Sequence, residues 1–437
     1  MLVRLRARDL FSVRLMCRRL RDICLDRQLW KSISLHSEAK GLLKAALRVA
    51  PCLRKLYLEY SDLREVASLV STTSCVVYAL QIGSGPEPDD ITQDTITIIQ
   101  KLSSLGGLRD LALWLSMDAP GSALESVLLE TIYSLKSLET LYIDCGEPLT
   151  AGASFDTEVT ASLKTFDFSS SGVTSNAMNP FVDLLLRVHA ATLETLTLDV
   201  TDVPLMLLKG VPRLKSLSCH PRDDLSELLE CPFLTSIELL ASDEPIPAGT
   251  VDFFRGAKHL RSVSFNFFAQ SSTAVFLALA GSEAAKGVET LFLFSDESED
   301  QMVVASNLHM FPSLKTLTVA SEVTNGLLRA ITPTTAPRLT SLTTESGHDG
   351  SECCHAWLHG PGVQSLLARN PQLHLLAHTW RDISDDCTCV WCKWGCHRNL
   401  KMADAFAYAF SAHAKRDCWK GGAAHACVQV VIPPNLL

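Results

Sequence analysis

The chain has 437 residues, 47% of them hydrophobic and 20% charged, with a formal net charge of −9. That length exceeds one ordinary core, so several domains or an extended repeat are expected, and so apolar a composition excludes disorder over most of the chain. The acidic balance speaks against nucleic acid as a partner, which needs a basic footprint, and no apolar run reaches the roughly 18 residues of a membrane span.

The amino-terminal 31 residues run against the overall charge, with nine Lys or Arg and three Asp. A basic start is also a transit-peptide feature, but the acidic residues and a tight apolar spacing favour folded helix. Leu10, Val13, Cys17, Leu20 and Cys24 step by three and four, which predicts one apolar helical face with Asp9 placed to cap it. Asp26 with Leu29 and Trp30 then closes a small apolar unit, within a helical segment read over 1–36. No secretory apolar stretch opens the chain, and its 15 cysteines are odd in number and thinly spread. The expectation is reduced thiols in cytosol or nucleus.

From residue 42 to 378 one short pattern, L-x-x-L-x-L with other apolar residues substituting, recurs twelve times. It begins at Leu53, Val77, Leu108, Leu138, Leu163, Leu193, Leu214, Leu234, Leu260, Val288, Leu314 and Leu339, at intervals of 20 to 31 residues, and a degraded thirteenth copy is read at Leu373/Leu376. In one copy Cys219 replaces a core leucine. Each x-L-x-L-x piece predicts a short strand with one apolar face that cannot be buried alone. Between strands, stretches such as 123–137 and 179–191 carry the i, i+3, i+4, i+7 spacing of helices. The interval falls in the leucine-rich-repeat range. The expected fold is therefore an α/β leucine-rich-repeat solenoid, a horseshoe of about 12 repeats.

In such a horseshoe the non-leucine strand positions line the concave surface. The column before the second leucine is a Ser/Thr ladder, including Thr140, Thr165, Thr195, Ser262, Thr290 and Thr316, and reads as cross-strand structure. The next two columns hold aromatic residues, Tyr57, Trp114, Tyr142, Phe292 and Phe294, among acids, Glu59, Asp144, Asp167, Asp199 and Glu238. Exposed aromatics anchor protein interfaces because they bury much area at low entropic cost. Tyr57, Glu59, Trp114, Tyr142, Asp144, Asp199, Phe292 and Phe294 are thus the candidate substrate-binding set, and the acids suggest a basic stretch on the partner.

No phosphate-binding glycine loop, nucleophile elbow or H-E-x-x-H motif occurs in a believable context, so neither catalytic residues nor a cofactor are assigned. One group with metal-ligand spacing stands in the tail, 379–437, at Cys387, Cys389, Cys392, Cys396 and His397. Its residue types suit zinc, but the matching half of a finger is missing. Trp380, Trp391, Trp394 and Trp419 interleave with the cysteines, so an apolar cap over the last repeat is as natural a reading as a structural metal.

The string RDLFSVRLMCRRLRDICLDRQLW, at 8–30, resembles the second half of an F-box, with its "VCRRLR"-like centre and closing "D-x-x-LW". The family's opening L-P-x-E and first helix are not in this sequence, and an upstream in-frame segment is expected to supply them. Proteins joining an F-box to leucine-rich repeats are substrate receptors of SCF (cullin-RING) ubiquitin ligases. The resemblance implies that Leu10, Val13, Leu20 and Trp30 face the ligase adaptor, that the cullin follows through it, and that the repeats select a protein substrate. The alternative is an amino-terminal capping helix on a stand-alone cytosolic scaffold or inhibitor.

Overall fold

The computed structural model describes residues 6–83, 91–115, 123–146, 159–170, 180–201, 203–241, 245–266, 272–294, 298–345, 360–378, 407–411 and 427–429. The chain forms two units, Met1–Lys215 and Ser216–Leu437.

The first unit opens with three short helices, α1 (Ala7–Arg14), α2 (Arg18–Ile23) and α3 (Arg27–Trp30). The single helical face expected from Leu10 to Cys24 is broken at the turn after Arg14, where Cys17 is extended. Folding back brings Phe11 and Cys24 to the same indole. Phe11 meets the Trp30 ring edge-on at 5.5 Å, and the Trp30 Nε1–H donates to the Cys24 carbonyl at 2.6 Å. Asp9 does cap α1, but from the third helical position, its carboxylate accepting from the Arg6 amide at 3.1 Å. Asp26 caps α3, accepting from the Gln28 amide at 2.9 Å.

Seven strands follow: β1 (Ser34–His36), β2 (Cys52–Leu58), β3 (Val76–Ile82), β4 (Asp110–Leu115), β5 (Thr140–Cys145), β6 (Thr165–Ser170) and β7 (Thr195–Asp199). All pair in parallel, in sequence order. Parallel neighbours require a crossover, and helices supply five of the six: α4 (Lys40–Val49), α5 (Leu63–Ser71), α6 (Ile91–Ser104), α7 (Ala123–Tyr133) and α8 (Pro180–His189). The long interval after Val77 is taken up by α6, whose 14 residues make it longer than its neighbours α5 and α7.

Register places the repeated apolar positions side by side. Leu56, Leu80, Leu111, Leu141, Phe166 and Leu196 form one row and Leu58, Ile82, Leu113, Ile143, Phe168 and Leu198 the next. Every one of these residues is buried, while those between them are half-buried. Because side chains alternate along a strand, one sheet face is buried, and the other stays open among the described residues. Each buried row member contributes about 1.5–3 kcal/mol over the exposed state.

The second unit repeats the scheme. Its strands are β8 (Ser216–Cys219), β9 (Ser236–Leu239), β10 (Ser262–Phe265), β11 (Thr290–Leu293), β12 (Thr316–Glu322), β13 (Ser341–Glu345) and β14 (His374–His378), paired in parallel. Helices α9 (Ala248–Gly256), α10 (Ser272–Ala280), α11 (Ser298–Asn307), α12 (Asn325–Ala330) and α13 (Pro361–Arg369) connect them, with 3₁₀ turns such as Asp223–Glu230 in the shorter intervals. Cys219 is fully buried in the leucine row, as its position in the pattern requires. The thirteenth copy is offset by one residue: the ladder sets Leu375, not Leu376, beside Leu342. Leu375 is buried and Leu376 half-buried, so burial decides the frame. Beyond it, β15 (Ala407–Ser411) joins β14 antiparallel, and β16 (Cys427–Gln429) joins β15 in parallel.

The same backbone device recurs ahead of the strands in both units. One carbonyl accepts from two successive amides of the next repeat, as Arg109 does from Glu139 and Thr140, Glu139 from Lys164 and Thr165, and Arg261 from Glu289 and Thr290. No described helix is long and apolar enough to cross a membrane.

Candidate functional site

The open sheet face of the first unit brings three of the predicted residues into contact. Trp114 stands at the end of β4 and Tyr142 in the middle of β5, with ring centroids 4.8 Å apart and planes at 41°. Asp144 lies across from Trp114 in the ladder, and Asp167 across from Tyr142. The Tyr142 hydroxyl donates to Asp144 Oδ2 at 3.4 Å. Burial, and then the negative charges of Asp144 and Asp167, push the Tyr142 pKa up to about 12. The phenol stays neutral at physiological pH, and the local field disfavours any added anion.

Gly83 shapes this cluster from below. A Cβ at this residue would lie 2.7 Å from the Trp114 Cβ and 2.9 Å from its Cε3, and the backbone φ is +154°. The missing side chain is what lets the indole lie close over the end of β3. Next to Tyr142 in the same column stands Ala112, a small side chain.

The other candidates lie apart from this cluster. Tyr57 shares the Tyr142 column but is three strands away, about 14 Å at the usual strand spacing. It is stacked instead on His36, centroid to centroid 4.1 Å with planes 2° apart, and Lys55 Nζ lies 4.4 Å from its centroid. The amide of Glu59 donates to the Ser37 hydroxyl at 3.2 Å, and the hydroxyl of Ser169 donates to Asp199 at 3.0 Å.

Phe292 and Phe294 belong to the second unit. Phe292 is half-buried between Ser264 and Thr318 of the adjoining strands. Phe294 lines a small apolar pocket with Phe276, Leu293, Val304 and Leu327. At the rim of that pocket Thr273 donates to Asp300 at 2.6 Å.

Of the residues expected to face an adaptor, Leu10 and Trp30 are buried and Val13 and Leu20 half-buried. The apolar surface of this segment is made by its neighbours. Leu15 is 82% and Met16 74% exposed in the turn between α1 and α2, and Ile23 and Leu25 are also exposed.

Sequence reading missed three features: the His36–Tyr57 stack, the role of Gly83, and a row of ion pairs at the strand entrances. In that row Glu139 bridges Lys164 (2.5 Å) and Arg109 (3.7 Å), Glu194 meets Lys215 (2.6 Å), and Glu289 bridges Lys315 (2.6 Å) and Arg261 (3.1 Å). The signal was present, since these charges alternate in sign one residue ahead of the Ser/Thr column.

Among the described residues no group of three or more His, Cys, Asp or Glu side chains is placed to hold a metal ion. Cys387, Cys389, Cys392, Cys396, His397 and the tail tryptophans lie outside the described residues. No disulfide joins the described cysteines, and burial pushes the Cys75 and Cys219 thiols up to about 12. No protein-family model matches the chain, and comparison with curated proteins gives no match either.

Proposed function

We propose that this chain is a substrate-recognition subunit of an SCF-type ubiquitin ligase. About twelve leucine-rich repeats over 42–378 hold a protein substrate on their open strand face, and the F-box-like helices over 1–36 dock on the adaptor and, through it, the cullin. Catalysis then resides in other subunits, and the protein works in the cytoplasm or nucleus.

The observation that supports this reading is the outward placement of Leu15 and Met16, 82% and 74% exposed, on the segment that resembles an F-box. A helix that only caps a solenoid needs an apolar inner face and a polar outer one. Here Trp30, Leu10 and Cys24 already furnish the inner contacts, while Leu15, Met16, Ile23 and Leu25 are turned outward along with Arg18, Arg19 and Arg21. Exposed apolar groups of this kind are costly without a partner.

Co-precipitation of the tagged full-length chain tests the proposal. Adaptor and cullin are expected in the eluate alongside those recovered with an intact F-box control. Their absence, with the control positive, contradicts it.

A second reading, a stand-alone scaffold or inhibitor, is favoured by the burial of Leu10 and Trp30, two residues that the resemblance assigns to the adaptor. It predicts the same face with no ligase subunits attached.

A further inference from the structure

We infer that Trp114, Tyr142 and Asp144 form a seat for an arginine side chain carried by a basic segment of the bound protein. The inference rests on the reading of the open strand face as the protein-binding surface, and it names the chemistry of what that surface takes.

Three features of the cluster converge. The first is an aromatic platform fixed in advance. The indole of Trp114 lies over the Gly83 backbone, where a Cβ would collide with it, and Tyr142 braces it at 4.8 Å. A platform already held in place loses little freedom when a ligand stacks on it. The second is a small neighbour, since the column position beside Tyr142 is held by Ala112 and not by another large side chain. The third is charge. Asp144 stands across from Trp114 and accepts the Tyr142 hydroxyl at 3.4 Å, while Asp167 and Asp110 add negative charge on the same face. Lysines near this unit's sheet are placed elsewhere, Lys55 over Tyr57 and Lys164 against Glu139.

Together these features select among ligands. An acidic peptide, a nucleic acid or an anionic membrane is repelled by the carboxylates. A planar guanidinium can stack on the indole and at the same time aim two N–H groups at the Asp144 carboxylate, since its charge, flatness and donors are all used. A lysine ammonium satisfies the charge but not the plane. A methylated ammonium calls for an aromatic enclosure, and among the described residues two rings meet here.

The test uses the full-length chain and fluorescein-labelled Gly/Ser peptides bearing three arginines, three lysines or three trimethyl-lysines, followed by anisotropy. The arginine peptide should bind saturably and the lysine peptide at least about fivefold more weakly. Trp114→Ala and Asp144→Asn should each weaken the arginine peptide about tenfold or more, whereas Glu130→Gln, which removes one exposed charge on α7, should leave its affinity unchanged. Thermal melts establish that each variant is folded, and Trp114→Phe, which keeps a ring, should fall between wild type and Trp114→Ala.

Absence of binding by the arginine peptide overturns the inference, and so does an affinity that Trp114→Ala and Asp144→Asn leave intact. Equal losses in Asp144→Asn and Glu130→Gln would reduce the effect to diffuse electrostatics, and tightest binding by trimethyl-lysine would replace arginine. Adaptor recovery is scored on the same preparations. Peptide binding without adaptor would sink the ligase reading and leave the seat standing, and adaptor without peptide binding would do the reverse.

Discussion

His189 ends α8 with its ring inside the first unit, where Nδ1 accepts from the amides of Ser162 (3.2 Å) and Leu163 (3.4 Å). Burial pulls its pKa down to about 4 from the ordinary 6.5. Its folded form is therefore neutral, while the unfolded chain takes up a proton as pH drops below 6.5. Between those two values the unfolded state binds more protons, so stability from this site is complete above pH 6.5 and is lost as pH falls towards 4. The loss should be on the order of 2–3 kcal/mol. Urea unfolding at pH 7 and pH 4.5 checks this: the wild type should lose markedly more stability than His189→Asn, which keeps an acceptor but cannot titrate. Gly83 is the other residue on which local geometry turns. Gly83→Ala should displace the Trp114 ring, quench or shift its fluorescence, and cost about 1–3 kcal/mol through strain and overpacking. An unchanged melt and an unchanged spectrum would show that the indole has another resting place.

At the scale of elements, the strands were legible because their burial is dictated locally. A leucine at every second position of a short segment has only one face to give to a core, so Leu111/Leu113 and Leu141/Ile143 are found where the pattern put them. The helices over 123–137 and 179–191 were legible for the same reason, and end two to four residues early at Tyr133 and His189. What failed depends on contacts distant in sequence. Nothing between Leu10 and Cys24 announces the turn after Arg14, which is set by the indole of Trp30, and the one-residue offset at Leu375 is fixed by pairing with Leu342. The amino-terminal helices accordingly hang on one side chain. Trp30→Ala should cost about 3–5 kcal/mol and free them first, seen as early proteolysis or hydrogen exchange over 7–30 while the strands stay protected. Uniform loss of protection would mean that the segment and the strands form a single cooperative unit.

The row of charges at the strand entrances also acts as an element. Lys164 holds the Glu139 carboxyl below its ordinary 4.5, Lys215 does the same to Glu194, and Lys315 to Glu289. An acid with a lowered folded pKa contributes stability above its unfolded value and loses it as pH falls through the folded one. The groups are largely exposed, so each contribution is modest and screened by salt. Glu139→Lys, which sets three cations in a row, should lower the melting midpoint by about 1–3 °C in dilute buffer and less in 0.5 M salt. A shift that salt leaves untouched would point to packing rather than charge.

For the molecule as a whole, the mixed α/β architecture with parallel strands was legible, because twelve weak signals at one period reinforce each other. Which strand positions lie opposite the buried leucines was legible by column, through the alternation of side chains along each strand. The contacts made among those positions were not. Among the candidates Trp114, Tyr142 and Asp144 come together, and that depends on Gly83, a residue whose contribution is the side chain it lacks. The tail cysteines lie outside the described residues, so stoichiometric zinc in the purified chain is the measurement that decides between metal and apolar cap.

The ligase proposal turns on whether the exposed surface around Leu15 and Met16 is a docking surface. Calorimetric titration of the purified full-length chain with purified SCF adaptor measures this directly. Saturable one-to-one binding that Leu15→Asp with Met16→Asp reduces at least about a hundredfold, with the melting temperature unchanged, is the predicted result. Binding indifferent to that double substitution, or no heat beyond dilution while an intact F-box protein titrates normally, would contradict it.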